Sequence, residues 1–342
     1  MLDNKIDFIF SEGLIQWERI SISMSNSNMQ NNEEACEALD RSKMKPNEYK
    51  KMNAKKIVEL NNQKHLTTEE KKLLANLLQE FEDLFLGKPG VSKGIEVDFE
   101  LKEDAKPYYA KPYNVPVSQL PLLKAAIYEM VDKGVLEETT EDTEWAAPTF
   151  CVPKKTKGVR TVSDFRMLNR AIRRSPWPMP TMRQLLMKVG GMTYVTALDQ
   201  TMGYYTFTMK ERIRKYLVII LPFGKFRYIK MPMGLKISAD VFQREMSKLF
   251  QNLPYVLVYI DDLLVVTKST FEDHLIKLRK VLLKLREKGM QLNPIKSFFA
   301  ALETEYLGYI ITRKGIKPQK KKVEAILNMG IPKTINTIER LY

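Results

Sequence analysis

VLVYIDDLLVVT, residues 256–267, places two consecutive carboxylates between two runs of apolar residues. The pattern predicts a β-hairpin with Asp261 and Asp262 at its tip. Because the flanks do not alternate between apolar and polar residues, we expect both faces of its strands to be buried. Aspartate is also an ordinary turn residue, so the pair alone is equally compatible with a plain turn. The apolar setting favours a functional pair of acids.

A third acid follows another apolar strand, since Asp199 ends the run TYVTAL at residues 193–198. Alone, this aspartate would be interpreted as a turn or helix cap. Three carboxylates in one cleft repel one another, and divalent cations reverse that repulsion. Two cations ~3.5–4 Å apart can activate a hydroxyl nucleophile and stabilise a leaving pyrophosphate. The three acids together predict a two-metal site for phosphoryl transfer.

The composition is typical of an intracellular globular protein with a polyanionic partner. The 342 residues are 44% hydrophobic and 28% charged, with a net charge of +14. Residues 1–45 are net acidic, so the excess of Lys and Arg lies downstream, where it suits contacts with phosphates. Two cysteines and two histidines are too few for a structural zinc site. We expect no signal peptide and no membrane span, because no apolar run approaches ~20 residues.

Strand and helix patterns are mixed without a repeating βαβ order, which predicts an α+β fold. Residues 4–24 are predicted as short strands around a turn at Gly13. Residues 25–64 are rich in Asn, Ser, Glu and Lys, and predict a polar linker that is partly helical near its end. A capping sequence at Thr67 opens a helix, and residues 271–289 have the apolar spacing of another.

Several stretches resemble, in order and at matching spacings, the reverse transcriptases of Ty3/gypsy-type retrotransposons. They are EWAAPTFCVPKKTKGVRTVSDFRMLNR (144–170), YVTALDQTMGYYTFTM (194–209), LPFGKFRYIKMPMGLKISADVFQREM (221–246), YVLVYIDDLLVVTKSTFEDHLIKL (255–278) and EYLGYIITRKGIKPQKKKVEAIL (305–327). The resemblance implies an RNA-directed DNA polymerase with right-hand architecture. It implies an N-terminal helical extension at 65–95, fingers and palm at 96–313, and the start of a thumb or connection region at 314–342.

The resemblance also implies roles for individual residues. Asp199, Asp261 and Asp262 fall on the family's metal-binding triad, which would hold two Mg²⁺ ions, with Mn²⁺ as a substitute. Tyr204 matches the aromatic residue that closes the sugar pocket against ribonucleotides. A core aromatic residue is the alternative interpretation of Tyr204.

Further matches concern the nucleotide and the primer. Lys154 and Arg160 match basic residues that grip the incoming triphosphate, a task that suits a Lys point charge and an Arg fork. Met233 and Gln243 fall where the family lines the nucleotide and template pocket, although Met233 could equally be core filler. Leu307, Gly308 and Tyr309 fall on the turn that positions the primer terminus.

Two positions depart from the family's pattern. Gln200 stands directly after the first metal-binding aspartate, where the family usually has an apolar residue, and we expect it to lie next to the metals. Thr206 replaces a larger polar residue. These departures leave open a second function, a decayed and truncated element that binds nucleic acid without extending it. Two further alternatives are an unrelated α+β metal enzyme, which the ordered run of motifs disfavours, and an RNA-directed RNA polymerase, which Tyr204 disfavours.

The surroundings expected from the resemblance are those of a Pol polyprotein. Residues 1–24 resemble the closing strands of a retroviral-type aspartic protease, without its catalytic Asp-Thr/Ser-Gly triplet. The expected partners are an RNA template, a DNA primer and product, deoxynucleoside triphosphates, and ribonuclease H and integrase domains in the intact element. Cytoplasmic virus-like particles are the expected location, with the nucleus as a second compartment, and secretion is not expected.

Overall fold

The structure is a computed structural model, and it describes only part of the chain. The described residues are 14–17, 20–23, 51–61, 63–153, 159–319 and 323–324. Several predictions fall mostly or wholly outside the described residues: the turn at Gly13, the polar linker at 25–64, the position of Lys154, and the thumb or connection region after residue 319.

The chain divides into two units, of which Met1–Lys45 is the first. In its described part, strand β1 (Leu14–Trp17) pairs antiparallel with strand β2 (Ile20–Ser23). Trp17 lies opposite Ile20, so this pairing is downstream of the predicted Gly13 turn. The resemblance of residues 1–24 to the end of a protease stays a prediction.

The second unit, Pro46–Tyr342, mixes helices and strands. Its helices are α1 Ala54–Asn61, α2 Thr68–Glu80, α3 Leu120–Asp132, α4 Arg166–Ala171, α5 Met182–Val189, α6 Glu211–Arg214, α7 Ser238–Phe250 and α8 Phe271–Glu287. Its strands are β3 Glu96–Val97, β4 Leu136–Glu138, β5 Ala147–Pro153, β6 Val159–Ser163, β7 Tyr194–Asp199, β8 Thr208–Met209, β9 Val218–Leu221, β10 Gly224–Tyr228, β11 Val256–Tyr259, β12 Asp262–Thr267, β13 Phe298–Ala301, β14 Glu303–Tyr306, β15 Tyr309–Thr312 and β16 Gly315–Pro318. Short 3-10 helices cover Glu82–Leu84 and Gly203–Thr206. The predicted α+β class is confirmed.

One antiparallel sheet has the strand order β11-β12-β7-β13. Asp199 and Asp262 belong to its strands β7 and β12, and Asp261 directly precedes β12. Helix α7 packs against β11, and helix α8 packs against β12 and β7. Both strands of the β11–β12 hairpin are buried apart from their ends at the turn, which confirms the expectation from their uninterrupted apolar runs. The same unit contains a five-stranded sheet, β4-β10-β9-β5-β6, and a three-stranded sheet, β14-β15-β16.

The predicted helix starts follow from their capping residues. Thr67 and Glu70 form a reciprocal capping box at the start of α2. At α8, the Thr270 side chain accepts a hydrogen bond from the Asp273 backbone N–H. Leu278, Leu282 and Leu285 of α8 are buried at helical spacing, as predicted, and form the face that covers the sheet. No helix in the described part of the chain is long and apolar enough to cross a bilayer.

The segment before β3 packs against the region that follows α8. Arg286 of α8 forms an ion pair with Asp83, and the Leu292 N–H donates to the Leu84 carbonyl oxygen at 2.8 Å. Gly90 and Gly289 approach so closely that a Cβ on Gly90 would lie 2.3 Å from the Gly289 carbonyl oxygen. Helix α1, at the end of the range predicted as a linker, belongs to the same hydrophobic core.

Candidate active site

The turn of the acid-bearing hairpin consists of Ile260 and Asp261. Tyr259 pairs with Asp262, so Asp262 is the first residue of β12 rather than part of the tip. The predicted tip, Asp261-Asp262, is therefore displaced by one residue. The physical reason is that β12 is a central strand, and Asp262 is also paired on its other side, with Asp199 of β7. Ile260 takes the left-handed conformation of the turn, with φ of 50°.

Asp199 and Asp262 face each other across the β7–β12 ladder. Directly opposite residues of an antiparallel pair have Cβ atoms about 4.5–5.5 Å apart on the same face of the sheet. The backbone of Asp199 is held by the loop before β13: its N–H donates to Ser297 Oγ at 3.1 Å, and its carbonyl oxygen accepts from the Asn293 N–H at 2.8 Å. The structure thus brings Asp199 and Asp262 together, with Asp261 next to them at the turn.

The electrostatics of this cluster favour a cation. Partial burial, then the charges of Asp262 and Asp199, raise the pKa of Asp261 to about 6. Burial also raises the pKa of Asp199 and of Asp262, although the Lys296 ammonium acts in the opposite direction on Asp199. Asp261 and Asp262 reach solvent, but the surrounding protein displaces enough water to penalise their ionised forms. Bound cations would relieve this penalty.

The donor set fits Mg²⁺, which binds through one or two carboxylates and keeps several of its waters. All three side chains offer hard oxygen donors. Within the described residues, no three histidine, cysteine or carboxylate side chains lie close enough to form a ready-made metal cage. The acids therefore share one region of the surface as mutually repelling groups, rather than as a closed cage.

A cavity of about 430 Å³ opens beside the acids. Its lining includes Asp199, Asp262, Lys296 and Tyr306, so it lies between the acid-bearing strands and the β14–β15 hairpin. The Tyr306 hydroxyl is buried and lacks a hydrogen-bond partner among the described residues. Lys296, which the sequence analysis did not single out, is held by Asn293, whose Oδ1 accepts from the Lys296 N–H at 3.3 Å.

Gln243 holds the turn of the acid hairpin. Its side chain is 1% exposed. Its Oε1 accepts from the Ile260 N–H at 2.7 Å, and its Nε2 donates to the Val258 carbonyl oxygen at 3.2 Å and to Ser247 Oγ at 3.1 Å. The Gln243 side-chain amide thus provides hydrogen bonds to backbone groups at and beside the turn, where Ile260 has positive φ. A residue predicted to line the nucleotide pocket is engaged with the hairpin backbone.

Tyr204 lies in the 3-10 helix that follows β7. Its half-buried ring packs on Phe242 of α7, with the ring centroids 5.2 Å apart. Burial and the nearby charge of Asp261 raise the pKa of the Tyr204 hydroxyl. Gly203 allows this approach, because a Cβ there would lie 3.1 Å from the Phe242 ring. The Tyr204 hydroxyl is therefore near the turn that carries Asp261.

The remaining predicted residues are more scattered. Met233 is 46% exposed on the loop before α7, which excludes core filler as its environment. Arg160 is exposed on β6, and the structure gives no contact between it and the acids. Leu307 and Gly308 form the two-residue turn between β14 and β15, with φ of 49° and 81°, and Tyr306 pairs with Tyr309 across it.

The expectation for Gln200 was wrong. Its side chain is 8% exposed, and its Nε2 lies 3.7 Å from Met246 Sδ of α7. Neighbouring residues of a strand point to opposite faces, so Gln200 points into the core when Asp199 points to the acid cluster. Thr206 is also buried, with its hydroxyl unpaired among the described residues. Neither departure places a polar group beside the carboxylates.

Comparison with known proteins agrees with this geometry. The reverse transcriptase (RNA-dependent DNA polymerase) family matches residues 152–311, which include β7, the β11–β12 hairpin and all but the last residue of the β14–β15 hairpin. A foamy viral protease-reverse transcriptase, solved in complex with double-stranded DNA, has a TM-score of 0.77 at 23% identity over 87% of this chain and 53% of that chain. Another structure of it, with an RNA/DNA hybrid, has a TM-score of 0.75 at 23% identity over 87% and 40%. The fold is that of a right-hand polymerase, and residues 152–311 form a reverse transcriptase domain.

Relatives identify the branch of the family. The Pol polyprotein of transposon opus from Drosophila melanogaster is 32% identical over 280 residues, which are 78% of this chain and 27% of that protein. The transposon Tf2-7 polyprotein of Schizosaccharomyces pombe is 27% identical over 293 residues, 81% of this chain and 22% of that protein. The chain is thus similar to the Pol polyproteins of Ty3/gypsy-type retrotransposons, and it spans about a quarter of the length of these relatives.

Proposed function

We propose that the chain extends the 3′-hydroxyl of a DNA primer with deoxynucleoside triphosphates, on an RNA or DNA template. The observation that carries this proposal is the pairing of Asp199 with Asp262 across one ladder, with Asp261 at the adjoining turn. The reverse transcriptase domain supports it, as do the two fold neighbours, which were solved with double-stranded DNA and with an RNA/DNA hybrid.

We infer that Asp199, Asp261 and Asp262 hold two Mg²⁺ ions, with Mn²⁺ as a substitute. When bound, the ions supply the positive charge that favours ionisation of the primer hydroxyl and departure of pyrophosphate. The raised pKa of all three acids supports this inference, since carboxylates whose ionised forms are penalised by burial gain from a bound cation. Gln243 contributes by fixing the turn from which Asp261 projects.

Other side chains would handle the substrates. The Tyr204 ring, supported by Phe242, would lie beneath the sugar and exclude a 2′-hydroxyl. Lys154 and Arg160 would bind the triphosphate, and the exposed Met233 would line the nucleotide pocket.

The primer terminus would be placed from the other side of the cavity, by the turn of Leu307 and Gly308 and by the adjoining Tyr309. In the intact element we expect neighbouring ribonuclease H and integrase domains, and activity in cytoplasmic virus-like particles, with the nucleus as a second compartment.

Primer extension on an RNA template, with and without Mg²⁺, tests the proposal. We expect Asp261→Asn and Asp262→Asn each to lower extension by more than about 10³-fold, because loss of one electrostatic group at a reacting centre already costs 10²–10³. Binding of an RNA/DNA hybrid should persist, since phosphate contacts come mostly from Lys and Arg. Asp142→Asn, on the loop after β4, is the matched control.

Two outcomes would change the conclusion. Extension at the wild-type rate by Asp261→Asn or Asp262→Asn would remove these residues from the metal site. A wild-type chain that binds the hybrid but never extends the primer would be the decayed, binding-only element.

Sugar selection tests Tyr204 separately. Tyr204→Val removes the ring, so we expect it to admit ribonucleotides, measured as the ratio of kcat/KM for a deoxynucleotide to that for the matching ribonucleotide. Tyr204→Phe keeps the ring and is the control, with a ratio close to that of the wild type. An unchanged ratio in Tyr204→Val would exclude Tyr204 from the sugar pocket.

A further inference from the structure

Behind the acid-bearing strands, a buried histidine joins them to helix α8. His274 is 0% exposed, and its two ring nitrogens each lie 2.8 Å from a threonine hydroxyl. Nε2 contacts Thr196 Oγ1 on β7, and Nδ1 contacts Thr267 Oγ1 on β12. Thr196 is on the strand that Asp199 ends, and Thr267 ends the strand that Asp262 begins. One imidazole therefore contacts both strands that carry acids.

The threonines extend this network to the backbone. Thr196 Oγ1 accepts from the Ala300 N–H of β13 at 2.9 Å, and Thr267 Oγ1 donates to the Tyr194 carbonyl oxygen at 3.4 Å. Ala300 has φ of 47° and lies where the register of β13 shifts against β7. A side chain thus satisfies a backbone donor at an irregular point of the sheet.

One tautomer satisfies every group in the network. If Nδ1–H donates to Thr267, that hydroxyl donates to Tyr194, and Nε2 accepts from Thr196, whose oxygen accepts from Ala300. A second ring proton would compete with the Thr196 proton and break the chain. Burial lowers the pKa of His274 to about 4, with Asp273 and Lys277 of its own helix acting in opposite directions. The Tyr194 ring lies against the imidazole from β7.

A fully satisfied polar network in a core defines one arrangement of its elements, whereas apolar contacts allow neighbouring arrangements of similar energy. Apolar residues of one core cluster accompany the network on the same elements, among them Leu198, Val265 and Leu278. The hydrogen bonds of His274 to Thr196 and Thr267 therefore provide directional contacts between α8 and the sheet.

We propose that His274 is a positioning residue for the reaction, which holds β7 and β12 in the relative placement that aligns Asp199 with Asp262. The inference rests on the proposed function for its catalytic meaning. The alternative is that His274 is a satisfied core residue whose loss weakens the fold without changing the acid cluster.

Substitutions of His274 that keep only one of its two hydrogen bonds distinguish the contribution of β7 from that of β12. Asparagine places its amide near the position of Nδ1, so His274→Asn keeps a partner for Thr267 only. Glutamine reaches the position of Nε2, so His274→Gln keeps a partner for Thr196 only. His274→Leu removes both. Leu278→Ala is the control, since it creates a cavity one turn further along α8 without touching the network.

Two readouts test the proposal on the purified chain. For His274→Leu we expect the Mg²⁺ concentration at half-maximal extension to rise about tenfold, the low end of the effect of outer-shell partners. The KM for the nucleotide should stay unchanged, and the Asn and Gln variants should be intermediate. In metal-free protein, hydrogen exchange at the amides of residues 197–199 and 262–264 should accelerate in His274→Leu more than in a Leu278→Ala protein of equal stability.

The outcomes are distinct. If Leu278→Ala and His274→Leu raise the Mg²⁺ requirement and hydrogen exchange equally, His274 is core filler and the proposal is overturned. If wild-type protein does not extend primers, the proposed function fails. The comparison of hydrogen exchange then still tests whether His274 holds β7 and β12 in place. Faster exchange in His274→Leu than in Leu278→Ala supports this role, and equal acceleration in the two variants overturns it.

Discussion

Two hairpins with two-residue turns border the same cavity, and they are built in opposite ways. The β11–β12 hairpin is buried along both strands, and Gln243 binds the backbone of its turn. The β14–β15 hairpin alternates, with Glu303 and Glu305 exposed and Thr304 and Tyr306 buried, and has Gly308 in its turn. The first cannot shift without disturbing the core, whereas the second has one free face. The β11–β12 hairpin therefore holds its acids in a fixed position, whereas the β14–β15 hairpin offers a surface that can adjust to what it contacts.

The largest effect should come from releasing the rigid turn. Gln243→Leu removes the acceptor of the Ile260 N–H and leaves a buried donor unpaired, at a cost of about 1–3 kcal/mol in the free energy of unfolding. A displacement of Asp261 by about 1 Å should lower kcat about 10²-fold. Ser247→Ala, which removes only the bond along α7, should leave kcat unchanged. An unaltered kcat in a folded Gln243→Leu protein would contradict this account.

A smaller effect is expected at the second turn. Gly308 has φ of 81°, where a β-branched side chain is strained. We expect Gly308→Val to raise the KM for template–primer about tenfold, equivalent to ~1.4 kcal/mol, with a smaller change in kcat. Gly315→Val introduces the same side chain at another residue of positive φ, directly after the other turn of the same sheet, and is the control. Equal effects of the two substitutions would show that general strain in this sheet, rather than the Leu307–Gly308 turn, limits binding.

The smallest effect concerns stability and pH. The pKa of Asp261 is about 6 in the folded chain and about 3.9 when unfolded, so the folded state binds this proton more tightly. The resulting stabilisation is present below about pH 4 and is lost as the pH rises through about 6.

Asp261→Asn should therefore be more stable than the wild type at pH 7, by no more than about 1 kcal/mol because the side chain is exposed. Urea unfolding at pH 4 and pH 7 measures the difference, which should be absent at pH 4 and shrink in high salt. Equal stability at pH 7 would mean that repulsion in the acid cluster is negligible.

Periodicity and apolar runs predicted the class of fold, the buried hairpin and the starts of α2 and α8 from local signals. The register of the hairpin turn was displaced by one residue, because isoleucine gives no signal for positive φ and the pairing with β7 is a long-range contact. The inward direction of Gln200 follows from strand alternation and could have been predicted.

Lys296 and His274 are different, because their significance appears only when distant segments meet. Asn293 offers a weak local signal, since its side chain caps the turn that presents Lys296. For His274 the helical spacing predicts only a buried position, and its partners lie on two other elements. A single sequence carries little information about such contacts.

The close approach of Gly90 to Gly289 limits how far the chain can be shortened from its N-terminal side. A fragment limited to the family match would lack Gly90 and the Leu84 carbonyl that receives the Leu292 N–H, next to the residue that holds Asp199. Expression boundaries drawn from the family match alone would therefore cut through the support of the strand that carries Asp199. A fragment that keeps this support has to include Leu84 and Gly90.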